Sequence, residues 1–210
     1  KYYFKSKNNV YKKNSKKLLI KITKNQMNIM DALYKHGSNK KRYYHNNKKV
    51  YSEHTGILDF NSKGLERILL STLVNEIDPN DNEVLFPSVI NEIEDFEYFF
   101  HTHPKTEDRG IKYDYHSVDD IMQFIDEYNN GKTQGSIVIA PEGFYNLRAL
   151  SKKKIKFNNE QLLINKFYEQ KPVIKFNEFL HKHNLHLDFV KRKKDGSLPE
   201  VFLPLFIVEK

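Results

Sequence analysis

The chain contains no cysteine. Disulfides and thiolate metal sites are therefore excluded, and any zinc it holds must sit on histidine and carboxylate. A reducing, intracellular setting, cytoplasmic or nuclear, fits that absence. Tryptophan is missing too. There is no apolar run of roughly 18 residues, the length a membrane span needs. No Gly-rich phosphate loop occurs, which argues against a doubly wound nucleotide fold. The opening stretch, KYYFKSKNNVYKKNSKK, lacks an apolar core and does not read as a secretory signal. Position 1 is lysine, as in a processed chain or a piece of a longer protein.

Acidic residues are almost missing from the first fifty positions. Asp31 stands there against fourteen lysines and Arg42, for a net +14, whereas residues 51–210 carry −6. A basic arm on an acidic body predicts that residues 1–49 touch a polyanion such as nucleic acid or an anionic surface. The plainer alternative is a solvated loop of Lys/Asn/Tyr-rich composition.

What is present is globular in character: 210 residues, 39% hydrophobic and 30% charged. That length suits one large domain, or a core domain with an appendage. Residues 1–17 read as a basic arm. Leu18–Thr23 alternates as a strand, and Asn25 caps a helix presenting Met27, Met30, Leu33 and Tyr34, which Gly37 ends. Val50–Phe60 reads as one strand, 61–64 as a turn and 65–77 as extended chain. The segment 78–81 (Asp-Pro-Asn-Asp) reads as a turn and 87–94 as a helix. Phe96–His103 is a short aromatic strand closed by Pro104. Ser117 opens a helix carrying Ile121, Phe124, Ile125 and Tyr128, which Gly131 ends. Ser136–Ala140 and Phe144–Leu150 form a hairpin about Pro141-Glu142-Gly143. The tail offers helices near 159–169 and 172–184 and strands near 185–191 and 201–208. The expected class is a mixed α/β (α+β) sandwich.

The segment that carries chemistry is His101-Thr102-His103-Pro104. Side chains alternate along a strand, so His101 and His103 face one side and can converge on one ion. Ser117-Val118-Asp119-Asp120 follows at a helix start. Ser117 is a good N-cap and Asp120 occupies the third helical position of a capping box, which is in itself a structural reason for both. Two imidazoles and a carboxylate also make the three-ligand set of a hydrolytic zinc site. Such a site needs a nearby base. Glu53 precedes Gly56-Ile57-Leu58, where burial of a carboxylate is costly without a partner.

Glu-x-x-Gly-Ile-Leu, then His-Thr-His-Pro, then Ser-x-x-Asp resembles the JAMM (MPN+) metalloprotease family, with Glu53 lying 48 residues before His101. The segment Gly135–Pro141 is similar to the strand that follows the metal helix in that family. The resemblance covers residues 18–150 and leaves 151–210 as a C-terminal α/β extension packing on the core. It implies a mixed sheet flanked by helices, with a cytidine-deaminase-like architecture. It also implies one zinc on His101, His103 and Asp120, Glu53 as general acid/base, and Ser117 as hydrogen-bond donor to the oxyanion. Aligning on Ser-x-x-Asp selects Asp120 as third ligand; aligning on Val-Asp selects Asp119. The N-cap at Ser117 favours Asp120. Thirteen residues, Pro104–His116, separate the second histidine from Ser117, a longer link than the family's. Its stretch 105–112 would lie beside the cleft. His54 and His116 flank the motif and read as surface histidines, the alternative being that they line the cleft. His181, His183 and His186 read as helical, where positions i and i+2 diverge, so they are not expected to hold a second metal.

The implied activity is a zinc-dependent isopeptidase or peptidase acting on a ubiquitin-like modifier or a peptide. Three rivals stand beside it: the same chemistry on small amide conjugates, a non-enzymatic scaffold such as a virion component, and nucleic-acid binding through the basic arm.

Overall fold

In the computed structural model the residues described are 17–41, 43–45, 48–61, 64–70, 97–104, 113–157, 160–168 and 172–206. The arm at 1–16, the turn at 78–81, the helix expected over 87–94 and the loop 105–112 lie outside them.

The chain forms β1 (Lys17–Ile22), α1 (Lys24–Asn39), β2 (Tyr43–His45), β3 (Lys48–Val50), β4 (Thr55–Asn61), β5 (Gly64–Leu70) and β6 (Glu97–Thr102). There follow α2 (Val118–Asn129), β7 (Thr133–Ile139), β8 (Gly143–Ala149), α3 (Glu160–Tyr168), α4 (Val173–Leu180), β9 (Leu185–Lys191) and β10 (Val201–Phe206). Six strands make one mixed sheet in the order β5-β4-β6-β7-β8-β9, and β1 pairs with β10 in a separate ribbon. The sheet is antiparallel except at β6–β7, a parallel pair that α2 connects. Parallel neighbours need such a crossover. It brings the start of α2 to the carboxyl end of β6, where ligands of α/β sheets commonly bind.

Two apolar cores sandwich the sheet. Ile20 and Ile22 of β1, Met27, Met30 and Tyr34 of α1, and Leu198, Val201 and Leu203 cover one face. Ile121, Phe124, Ile125 and Tyr128 of α2, Leu163 of α3, and Phe176 and Leu180 of α4 cover the other. Alternation along β7 serves both, Ile137 and Ile139 pointing to the first core and Val138 to the second. Each such side chain contributes about 1.5–3 kcal/mol on burial. The tail from 151 onward supplies β9 to the central sheet and β10 to the ribbon, and the Tyr98 hydroxyl donates to the Pro204 carbonyl at 2.7 Å. Among the described residues no helix is long and apolar enough to cross a membrane.

Several local expectations need correction. Thr23, not Asn25, caps α1, because its hydroxyl accepts from Gln26 N while the Gln26 amide accepts from Thr23 N, a reciprocal capping box. Gly37 does not end α1, which runs to Asn39. It allows close approach instead: Ser52 N donates to the Gly37 carbonyl, and a Cβ there would collide with the Ser52 carbonyl oxygen. The strand expected over 50–60 is broken, since Tyr51–His54 lie between β3 and β4 without strand pairing. The helix expected over 172–184 ends at Leu180 and tightens into a 3₁₀ turn over His181–His183.

Candidate metal centre

His101 is the penultimate residue of β6, on the face that α2 covers, and His103 follows just past the strand end. Their ring nitrogens meet, Nε2 to Nε2, at 3.0 Å. Asp120 comes in from the first turn of α2, its Oδ2 3.3 Å from His101 Nε2 and 3.6 Å from His103 Nε2. One donor atom from each of the three lies within 4.8 Å of the other two, and among the described residues this is the one cluster with metal-ligand geometry. Tetrahedral ligands on zinc sit roughly 3.3 Å apart, given Zn–N and Zn–O bonds of about 2.0–2.1 Å. The observed separations bracket that value, so the donor set fits a small tetrahedral cation.

The ligands are held from behind. His103 Nδ1 lies 3.0 Å from the Asp114 carbonyl oxygen and 3.3 Å from its Oδ1. Both are acceptors, so Nδ1 carries a ring proton and Nε2 is the atom turned toward His101 and Asp120. Ser117 N donates to Asp120 Oδ2 at 2.7 Å, and Asp120 N donates to Ser117 Oγ at 3.1 Å. The capping box that begins α2 thus also aims the third ligand. Asp119 is exposed and takes no part in the cluster, which places Asp120, not Asp119, beside the histidines. Burial alone would raise the Asp120 carboxyl, but the His101 and then the His103 rings overcome it and hold it well below the usual range.

Glu53 reaches this cluster from the connection before β4. Its neighbours fix it: Thr102 N donates to the His54 carbonyl at 2.9 Å, and His54 N donates to Thr102 Oγ1 at 2.9 Å. The residue between the two histidines therefore clamps the residue next to Glu53. Gly56 completes the placement, because a Cβ there would strike the Leu69 carbonyl and the Phe100 ring between which β4 runs. Burial pushes the Glu53 carboxyl above its ordinary value; His103 and His101 pull it back, and Asp120 and Asp114 push it further up. A carboxyl whose proton affinity is raised beside such a cluster is the kind of group that serves as a general acid or base.

His54 and His116 are not surface histidines: they are 4% and 0% exposed. His116 Nε2 lies 2.9 Å from the Ser136 carbonyl, so it carries the proton, and Nδ1 has no hydrogen-bond partner among the described residues. Its ring meets His101 edge-on, centroids 5.9 Å apart. Burial first, then the charge on His101, lowers its pKa to about 3, so it stays neutral. In the tail, His181 Nε2 contacts His186 Nδ1 at 2.8 Å while His186 Nε2 turns to Asp188 Oδ1 at 3.0 Å. His183 instead meets the rings of Phe157 and Phe179. Those donors do not converge on one point.

Residues that sequence reasoning passed over are Thr102, Asp114 and the buried ring of His116. Thr102 was within reach, because a hydroxyl between two ligands on a buried strand needs a partner. Asp114 gave no signal, since it acts mainly through its backbone.

No family model matches the chain. No solved structure matches it either. The chain is 29% identical, over 231 aligned residues, to an uncharacterized protein of Acanthamoeba polyphaga mimivirus, the match taking in 88% of this chain. It spans 65% of that protein's length.

Proposed function

We propose that the chain is a zinc-dependent hydrolase of the JAMM type, built on a cytidine-deaminase-like arrangement of its sheet and helices and cleaving an amide or isopeptide bond. The observation that carries this reading is the convergence of His101, His103 and Asp120 on one point beside a half-buried Glu53 whose proton affinity is raised. Zinc bound there supplies Lewis acidity and makes a coordinated water acidic near pH ~7.

The chain's own residues do the rest. Glu53 would take the proton that the attacking water loses and return it to the departing amine, so that the proton count closes over the cycle. Ser117 spends its oxygen on the Asp120 N–H, so its hydroxyl proton is left for the oxygen of the scissile carbonyl. His103 is kept in one tautomer by Asp114. Neutral His116 walls the histidine pair from the sheet side without adding a competing charge.

The substrate class is a lysine-linked modifier of the ubiquitin kind or a peptide. Similarity to a mimivirus protein favours an infected-cell or virion setting for this activity. The test is zinc content of the purified chain together with cleavage of di-ubiquitin, using Glu53→Gln as control. One zinc per chain and cleavage lost in the variant is the expected result; a well-folded sample that takes up no zinc overturns it.

A further inference from the structure

The metal centre has a support that reaches it from the far side of His103. Asp114 lies in 113–117, a stretch without helix or strand to steady it. Its N–H donates to Glu142 Oε1 at 2.5 Å. The same oxygen accepts the hydroxyl of Tyr145, a residue 0% exposed, also at 2.5 Å. Glu142 thus ties the Asp114 main chain to the hairpin of β7 and β8.

That hairpin turn is itself braced. Ala140 N donates to the Gly143 carbonyl at 2.9 Å and Gly143 N to the Ala140 carbonyl at 3.3 Å. Arg192 donates from Nε to the carbonyls of Ala140 and Pro141 at 3.2 and 3.1 Å, and its own N–H donates to the Glu142 carbonyl at 3.1 Å. The Arg192 guanidinium in turn contacts Asp31 of α1 at 2.6 Å. A continuous line of hydrogen bonds therefore runs from α1 and the chain after β9, through the turn, to the Asp114 carbonyl that receives the His103 Nδ1 proton.

We propose that Glu142 is a positioning residue for the metal centre. Through the Asp114 main chain it sets the direction and tautomer of His103, and thereby the affinity of the site for a tetrahedral divalent cation. The proposal rests on the metal-centre reading above. Loss of such outer support costs metal sites about 10- to 100-fold in affinity, because the ligand must then be oriented at the moment of binding.

The test uses the full chain, zinc competition against a chromophoric chelator, and the visible spectrum of the cobalt(II) form. Glu142→Ala should weaken zinc binding by about 10- to 100-fold and change the intensity of the cobalt bands. Glu142→Gln keeps an acceptor at Oε1 and should stay within about threefold of the wild type. If the alanine variant does not fold, Glu142→Met, which keeps the bulk without an acceptor, stands in under the same criteria. Wild-type affinity and an unchanged cobalt spectrum in Glu142→Ala overturn the proposal, and so does a glutamine variant as weak as the alanine one. Those results leave the metal centre standing. A wild-type chain that binds neither zinc nor cobalt removes the metal centre itself.

Discussion

Replacing Thr102 by valine keeps the β-branched shape of a side chain that is 0% exposed and removes one oxygen. That oxygen is the acceptor for His54 N–H at 2.9 Å, so the variant leaves a backbone donor unsatisfied beside β6. An unmade bond of this kind costs about 1–3 kcal/mol. In a chain of this length that lowers Tm by roughly 2–12 °C. The functional consequence is separate. Thr102 N still donates to the His54 carbonyl, so β6 and both histidines stay in register, but one of the two tethers beside Glu53 is gone. A displacement of about 1 Å in a catalytic group costs on the order of 100-fold in rate, so kcat should fall by about 10- to 100-fold. Zinc affinity should hold within about threefold. Thermal melting, zinc competition and single-turnover cleavage of di-ubiquitin read the three quantities independently. Unchanged kcat with a lowered Tm would refute the link from Thr102 to Glu53. A loss of zinc would show that Thr102 acts on the ligands instead.

Two further outcomes follow from the same structure. Folded His116 takes a proton only near pH 3, whereas the unfolded chain takes it near 6.5. Stability present above 6.5 is therefore lost as pH falls toward 3, at about 1.4 kcal/mol per unit. Urea midpoints of the metal-free protein at pH 7 and pH 5 should show this decline, shallower in His116→Gln, and equal slopes would count against a neutral buried ring. Arg192→Ala strips Asp31, which is 2% exposed, of the closer of its two cations, at 2.6 Å against 2.8 Å for Lys35. It should cost about 3–5 kcal/mol in urea unfolding, and adding Asp31→Asn should recover part of it; a double variant no better than the single one contradicts the pairing.

The parts of the site that could be read from sequence are those set by local geometry. Period-two alternation puts His101 and His103 on one side, and a helix cap three residues long places Asp120 from Ser117. The cap at Thr23 competes in the sequence with Asn25, two residues on, which carries an equally good acceptor, and only Gln26 reaching back decides between them. Gly37 illustrates a different limit. A glycine late in a helix looks like a stop, yet here it is demanded by the Ser52 carbonyl, a contact between segments that no local pattern encodes. The same holds for Asp114 and Glu142, which meet across 28 positions. His116 reads as a surface residue because Asp114 and Ser117 beside it are polar, whereas its ring is packed against Ser136 of β7.

The pairing of β1 with β10 has a bearing on how the chain is made. Ile20 lies opposite Leu203, so β1 waits for β10, 183 positions later in the chain, before that edge is covered. At about 5–20 residues per second of synthesis, that interval is roughly 10–40 s. Until then the edge of β1 is unpaired and the core that Ile20, Ile22 and α1 share lacks Leu198, Val201 and Leu203, and an open strand edge is where two chains can pair with each other. Delayed closure of this kind makes pairing of β1 with β10 a late, long-range step, the sort that slows folding and leaves time for association between chains.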